Sequence, residues 1–304
     1  MESTALTTPA DALYAVGQVA RLTGISVETL RVWERRYGAP VAVRLPSGHR
    51  RYTGEQVRHL RRVAEALARG HRAGQVVKLS EEGLEELLGT SSSPAAAPFL
   101  QRWMERVREF AEAELRRELE KGLSQEDLCG FLEYRVGPLL SAVGRAWADG
   151  DIQVRHEHVV THVVDDVLRQ IRRPMEPAAD APLVLLATLP GELHEVGLQM
   201  TAAVCADAGL RTSMLGAQTP LDDIVGTAQE TGATIVAISV SLYSGGVDAD
   251  RALAELRRQL PAGTELVVGG AGARRGRRGP RGVRFFERFT EFGRWLSEQV
   301  PSGD

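Results

Sequence analysis

The chain has 304 residues, of which 43% are hydrophobic and 25% are charged, with a formal net charge of -3. This length can hold two or three domains, and the composition is that of a folded globular protein, which excludes disorder of the whole chain. No apolar run approaches the roughly 20 residues that cross a bilayer, and residues 1–10 lack the pattern of a signal peptide. We therefore expect a cytoplasmic protein with no membrane partner.

Charge is distributed unevenly along the sequence. Residues 12–78 hold 13 Lys and Arg but 4 Asp and Glu, a local balance of +9, which leaves -12 for the rest of the chain. A basic module attached to an acidic body is the electrostatic pattern expected of a protein that binds a phosphate backbone.

A helix-turn-helix pattern follows a polar tail over residues 1–12. Apolar residues at helical spacing predict a first helix over residues 14–22, and Ser26 caps a second helix over residues 27–37. The second helix carries three arginines on the faces that its apolar residues do not use, where guanidinium groups can reach base edges or phosphates. These are Arg31, Arg35 and Arg36.

The next stretch, residues 40–52, has the composition of a short β-hairpin with Pro46-Ser47-Gly48 as its turn. Basic side chains surround that turn, namely Arg44, His49, Arg50 and Arg51. We interpret this hairpin as a wing beside the recognition helix.

The string S-V-E-T-L-R-V-W-E-R-R-Y-G at residues 26–38, followed by G-H-R-R-Y at 48–52, resembles the winged-helix DNA-binding domain of the MerR family. The resemblance covers residues 13–79 and implies that double-stranded operator DNA is a partner. The residues that it assigns to the DNA interface are Arg31, Arg35, Arg36, Tyr37, Arg44, His49, Arg50, Arg51 and Tyr52. For Leu30, Trp33 and Tyr52, a place in the domain core is also expected.

A linker and a helical region come next. Residues 80–98 hold few large apolar side chains and include a Ser-Ser-Ser-Pro stretch, which predicts a linker. Residues 99–174 are helical throughout, with amphipathic segments over 99–119, 126–135, 138–148 and 154–171. Four such segments predict a four-helix bundle.

Strands and helices alternate over residues 181–300. Five short apolar runs, at 183–187, 211–215, 235–240, 265–268 and 283–286, predict a doubly wound parallel sheet, so the fold class is multidomain α and α/β. Ligands bind such sheets beyond the carboxyl ends of the strands, where the first run leads into His194. An imidazole there can ligate a metal through one nitrogen while the Glu192 carboxylate holds the other.

The spacing of Glu192, His194 and Gly197 resembles the D-x-H-x-x-G signature of cobalamin-binding domains, with Glu in the Asp position. The resemblance implies that His194 is the metal ligand, on the lower face of cobalt, and that Gly197 makes room for the nucleotide tail of the cofactor. It further implies cofactor contacts from four residues at the ends of later strands: Ser239, Ser241, Gly269 and Gly270. The middle motif of the family is usually S-x-L, and Ser241 departs from it unless Leu242 takes the role of the Leu.

In the helical region, Trp147 is followed ten residues later by Glu157-His158. This W-x9-E-H pattern is similar to the cap of the CarH/LitR type of cobalamin-dependent photoreceptors, which implies that Trp147, Glu157 and His158 surround the upper ligand. In those proteins the residue after the Trp is typically a His that binds cobalt after illumination. Here it is Ala148, which cannot coordinate a metal, so a nearby His would have to substitute: His156, His158 or His162.

The order of winged helix, cap and cobalamin sheet resembles that of the CarH/LitR regulators over nearly the whole chain. It implies a non-enzymatic, light-responsive transcriptional repressor that holds adenosylcobalamin, or another cobalamin form, between cap and sheet. The cofactor would set a homo-oligomeric state, dimer or tetramer, and so the number of DNA modules that engage the operator together. Two alternatives stay open: a regulator that no longer uses light or cobalamin, and a corrinoid carrier component of a methyltransferase or mutase.

Overall fold

The N-terminal module of this computed structural model combines a small antiparallel sheet with helices. The structure describes residues 13–45, 48–68, 71, 73–88, 98–175, 177–241, 244–273 and 279–299. The first elements are β1 (Leu13–Ala15), α1 (Val16–Thr23), α2 (Val27–Tyr37), β2 (Val43–Arg44), β3 (Arg50–Thr53) and α3 (Gly54–Ala68). The sheet order is β1-β3-β2. The predicted wing is confirmed as the β2–β3 pair, while Pro46 and Ser47 of its turn lie outside the described residues.

Local sequence explains where these helices begin and end. The Ser26 side chain accepts a hydrogen bond from the Thr29 amide at the start of α2, and Gly38 ends the helix with a φ of 71°. The predicted first helix starts two residues later than its apolar pattern, at Val16, because Leu13–Ala15 pair with β3 as an edge strand.

Two further helices, α4 (Ala73–Val76) and α5 (Glu81–Leu88), complete this module. Residues 81–88 belong to the predicted linker, but they form a helix because Leu84 is fully buried and α5 packs against α3. A helix needs only one apolar stripe to pack, so the low apolar content of this stretch did not exclude it. The remainder of the predicted linker, residues 89–97, lies outside the described residues.

The predicted four-helix bundle is present with different helix limits. Its elements are α6 (Pro98–Arg108), α7 (Glu112–Leu123), α8 (Leu128–Phe131), α9 (Gly137–Ala148) and α10 (Val154–Arg172). The first predicted segment is divided between α6 and α7, because Phe110 has a φ of 54° that interrupts the helix. A π-helical turn over Leu132–Val136 joins α8 to α9, and Pro138 is tolerated in the first turn of α9. The bundle therefore has four helical segments, if α8 and α9 are counted as one: α6, α7, α8–α9 and α10.

The C-terminal domain has the predicted doubly wound sheet. Its elements are β4 (Leu183–Thr188), α11 (Val196–Asp207), β5 (Arg211–Gly216), α12 (Leu221–Thr231), β6 (Ile235–Ser239), α13 (Val247–Gln259), β7 (Glu265–Gly269), β8 (Val283–Phe285) and α14 (Phe289–Ser297). All strand pairs are parallel, in the order β5-β4-β6-β7-β8. The order reverses between β4 and β6, which creates a switch point at their carboxyl ends.

The bundle packs directly against the C-terminal domain. Helix α10 lies along α11, and Glu133 of the π-helical turn accepts hydrogen bonds from Arg288 Nε at 2.7 Å and from the Thr290 hydroxyl at 2.9 Å. A short loop joins α9 to α10, so the end of α9 and the start of α10 lie close together in the bundle. In the part of the chain that the structure describes, no helix is long and apolar enough to cross a membrane.

Candidate cofactor site and nucleic-acid interface

Glu192 and His194 lie in the loop that leaves the end of β4 at the switch point. The loop is fixed to the strand, since the hydroxyl of Thr188 donates to the Glu192 carbonyl oxygen at 3.0 Å. Glu192 Oε1 accepts from the backbone amide of His194 at 2.8 Å and from its Nδ1 at 2.7 Å. Glu192 Oε2 accepts from the Ser241 amide at 2.8 Å and from the hydroxyl of Ser244. The buried carboxylate therefore joins the β4 loop to the β6 loop.

The charge state of Glu192 follows from these contacts. Burial alone raises the pKa of a carboxyl group, but hydrogen bonds from His194, Ser241 and Ser244 and the nearby imidazole lower the pKa of Glu192 from 4.5 to about 2. Glu192 is thus ionised at neutral pH and accepts the Nδ1 proton of His194. This fixes the ring tautomer and makes Nε2 the nitrogen that can ligate a metal.

Close backbone contacts surround this loop. A Cβ atom on Gly197 would collide with the Ser239 hydroxyl, so the start of α11 and the end of β6 are in close contact. Gly270 has a φ of 105°, and a Cβ there would collide with the carbonyl of Val240. A Cβ on Gly272 would meet the Ser241 carbonyl in the same way, whereas one on Gly269 would have ordinary contact distances.

These features fit a corrin cofactor with a nucleotide tail. Within the described ranges no group of three or more His, Cys, Asp or Glu side chains could hold a metal ion, so His194 would be a single protein ligand. The corrin ring would supply most of the ligands of cobalt, so a single imidazole with an ionised carboxylate behind it would suffice as the protein's ligand. The glycine contacts show that the backbone is closely packed where β6 and β7 end.

On the cap, the structure brings together two of the three predicted upper-face residues. Trp147 lies near the end of α9 with 7% of its surface exposed, and Glu157 lies in the first turn of α10. Both contact Arg61 of α3: the guanidinium carbon is 3.2 Å from the Trp147 ring centroid, and Nη2 is 3.0 Å from Glu157 Oε2. His158, the third, is on the exposed side of α10. The spacing pattern gave no sign of Arg61.

The three histidines considered as substitutes for an upper ligand differ in their surroundings. His156 is buried, stacks on Phe110 at a centroid distance of 4.2 Å, and accepts the Gln153 amide on Nδ1 at 2.9 Å. Nδ1 of His156 is therefore engaged in capping the start of α10. His158 and His162 are both exposed and lie one helical turn apart on α10. Ala148 is the last residue of α9, and its side chain is not among those that the structure describes.

The predicted DNA-binding residues lie mostly on the surface of the N-terminal module. Exposed side chains are those of Arg31, Arg35, Arg36, Arg44 and His49. Tyr37, Arg50 and Arg51 are half-buried, and Arg50 Nε is 3.2 Å from Glu34. The structure corrects one expected contact: Tyr52 is fully buried, because strand β3 presents it to the module's core.

The sequence reading missed Ser244, Gly272 and Arg61. Ser244 completes the set of donors to Glu192, and the Gly-Gly-x-Gly spacing at residues 269–272 was a usable signal for Gly272. The contact of Arg61 with Glu157 spans 96 positions, so neither local spacing nor periodicity could have indicated it.

Comparison with known proteins agrees with this division of the chain. Residues 14–82 match the MerR HTH family regulatory protein model, and residues 100–172 and 182–279 match two B12 binding domain models. The structure also shares its fold with the Methanosarcina barkeri monomethylamine corrinoid protein at a TM-score of 0.50 and 12% identity, over 66% of this chain and 97% of that one. Together they define a regulator class that joins a MerR DNA-binding module to B12-binding domains.

Two curated relatives match most of the chain. The HTH-type transcriptional repressor CarH of Myxococcus xanthus is 30% identical over 273 residues, 87% of this chain and 91% of that protein. The repressor CarA of the same organism is 31% identical over 265 residues, 84% of this chain and 86% of that protein. The chain belongs to this family of MerR-type, B12-domain transcriptional regulators, which confirms the predicted family and the prediction that it is not an enzyme.

Proposed function

We propose that the chain is a transcriptional repressor that binds adenosylcobalamin between cap and sheet and binds operator DNA through its N-terminal module. One observation carries the cofactor assignment: His194 stands at the switch point with Nδ1 held at 2.7 Å by the ionised carboxylate of Glu192. This geometry directs Nε2 toward a ligand role. In this proposal the His194 imidazole would hold the cobalt of the cofactor through Nε2.

The remaining predicted contacts divide between the two faces of the cofactor. Gly197 and Ser239, with Ser241, Gly269 and Gly270, line the route of the nucleotide tail at the strand ends. Trp147 and Glu157 hold the upper ligand, and His158 borders it from α10. When bound, adenosylcobalamin supplies a cobalt–carbon bond that light can break, and the protein positions that bond and limits the access of water.

DNA binding is proposed for the exposed basic surface formed by α2 and the wing. The local balance of +9 would attract the phosphate backbone, and the arginines of α2 would enter a groove. A cofactor-dependent homo-oligomer would join several such modules on one operator, which raises avidity without any new contact in each module.

A direct experiment is to titrate the purified protein with adenosylcobalamin and to follow its absorption spectrum, its oligomeric state and its binding to operator DNA in the dark and after green light. In the dark we expect cofactor binding, assembly of the oligomer and tight DNA binding. After illumination, the oligomer and the tight DNA binding should be lost. The proposal would be overturned if the protein bound no cobalamin, or if its affinity for DNA were the same with and without bound cofactor.

A light-independent regulator is the second candidate, and Ala148 favours it. A methyl side chain has no atom that can ligate cobalt, so the chain lacks at this position the histidine that the resemblance to the CarH/LitR type implies. In that case adenosylcobalamin would control assembly and DNA binding identically in the dark and after green light. The same titration separates the two candidates.

A further inference from the structure

Arg61 lies where the DNA-binding module meets the cap. It belongs to α3 and is 3% exposed, and its Nε donates to the Leu22 carbonyl oxygen of its own module at 2.7 Å. The rest of the guanidinium enters the cap. Nη1 donates to the Gly144 carbonyl oxygen at 3.4 Å, and Nη2 donates to Glu157 Oε1 and Oε2 at 3.2 and 3.0 Å. One side chain therefore binds two domains at once.

The two cap residues that contact this guanidinium most closely are Trp147 and Glu157, which the proposed function assigns to the upper ligand. The guanidinium carbon lies 3.2 Å from the centroid of the Trp147 ring, so it stacks on the indole while it holds the carboxylate. A planar guanidinium can do both, which an ammonium group cannot. Arg61 is buried while the Glu157 side chain is 25% exposed, and the two hydrogen bonds from Nη2 to the carboxylate oxygens fix the orientation of Glu157.

We propose that Arg61 is a positioning residue for the upper side of the cofactor site, which selects cobalamins with a large upper ligand. Through the same contacts it couples occupation of that site to the attachment of the DNA-binding module. The inference rests on the proposed function. Arg61 acts through its contacts with Trp147 and Glu157.

The direction of the effect follows from the contacts. A carboxylate has about four acceptor positions, so Glu157 can accept further hydrogen bonds while Arg61 holds it. An upper ligand that contacts Trp147 and Glu157 then meets side chains that are already ordered, which reduces the entropy lost on binding. A small upper ligand does not use these side chains and gains nothing. By reciprocity, a large upper ligand also strengthens the attachment of α3 to the cap.

The test compares dissociation constants of the full chain for adenosylcobalamin and hydroxocobalamin. Arg61→Gln should weaken adenosylcobalamin binding about tenfold relative to hydroxocobalamin binding. Arg61→Lys keeps the charge and most of the aliphatic stem. An ammonium group cannot stack on the Trp147 ring and donate two hydrogen bonds to Glu157 at once, so this variant should lose part of the preference for adenosylcobalamin. Its measurement also decides the question if the Gln variant folds poorly.

Arg62→Gln is the matched control. Arg62 follows Arg61 on α3 and loses the same charge, but its contact with the cap is a 3.4 Å pair with Asp149, whose side chain is 55% exposed. Pairs at such exposed positions contribute little. This variant should keep the wild-type ratio of the two dissociation constants.

Hydrogen exchange of the α3 amides provides a reading that a merely structural role would not produce. In the wild type, adenosylcobalamin should slow exchange over Gly54–Ala68 more than hydroxocobalamin does. In Arg61→Gln, the two cofactors should have the same effect. A structural role alone would change exchange equally with either cofactor.

The outcomes separate this inference from the function on which it rests. A wild-type protein that binds neither cobalamin overturns the proposed function, and this inference with it. If the wild type binds both and the Arg61 variants keep its ratio of dissociation constants and its cofactor-dependent exchange, only the inference is overturned.

Discussion

The lower and the upper sides of the candidate cofactor site are built in different ways. The lower side is local: Glu192 and His194 are two positions apart, and the loops that complete it follow neighbouring strands. The upper side, as proposed, depends on two domains, since Trp147 and Glu157 of the cap both contact Arg61, which belongs to α3. A short motif suffices to define the first kind of site. The second kind depends on domain packing, so a regulator can couple it to the position of another domain.

The largest effect is expected from the lower side. His194→Ala removes the imidazole that Glu192 orients, and it should weaken cobalamin binding by about a hundredfold or more, since even partners behind a metal ligand contribute roughly ten- to a hundredfold. Affinity is measured by absorption titration in the dark. His59→Ala, which removes an imidazole from α3, is the control and should bind like the wild type. Equal affinity in both variants would contradict the assignment of His194.

Glu192→Gln tests the carboxylate behind that ligand. The folded-state pKa is lowered from 4.5 to about 2, so the carboxylate stabilises the fold fully above pH 4.5 and loses this contribution as the pH falls toward 2. The shift corresponds to a contribution on the order of 3 kcal/mol at neutral pH. Chemical denaturation of the variant should show a lower free energy of unfolding at pH 7 and a smaller difference from the wild type at low pH.

An unchanged difference across that pH range would mean that Glu192 is not ionised as the contacts imply. Ser244→Ala is a useful companion, because it removes one donor to Glu192 and leaves the His194 contacts in place. Its effect on the free energy of unfolding should be smaller than that of Glu192→Gln.

A moderate effect is expected at the DNA surface, outside both sides of the cofactor site. Arg35 is exposed on α2, so Arg35→Ala should weaken DNA binding and reduce the log–log salt slope by about one unit for the lost phosphate contact. The measurement is operator affinity over a series of salt concentrations. Arg117→Ala makes the same charge change on the cap, where the side chain is 69% exposed, and should leave the slope intact. Equal salt slopes in both variants would mean that α2 is not part of the DNA interface.

The smallest effect is expected from restoring a ligand on the cap. Ala148→His places an imidazole at the end of α9. After green light this variant should retain more cobalamin on dialysis than the wild type, with equal retention in the dark. Equal retention after light would mean that His158 or His162 of α10 already supplies an upper ligand.

The sequence predicted most of the fold because its signals are local. Five apolar runs matched the five parallel strands, and Ser26 and Gly38 marked the limits of α2. It failed where a few side chains decide the outcome, as at Phe110, whose positive φ divides a helix, and at Leu84, whose burial turns a polar stretch into α5. Arg61 could not be found in this way, because its contacts are with residues of another domain.

The most direct test of the account is the identity of the nitrogen on the lower face of cobalt. The protein is reconstituted with the divalent cobalt form of cobalamin and studied by electron paramagnetic resonance, with histidine at natural abundance and with 15N-labelled histidine. If His194 is the ligand, the nitrogen splitting changes from a triplet to a doublet on labelling, and His194→Ala abolishes the change. A triplet that persists with labelled histidine would assign the position to the cofactor's own base and contradict the account.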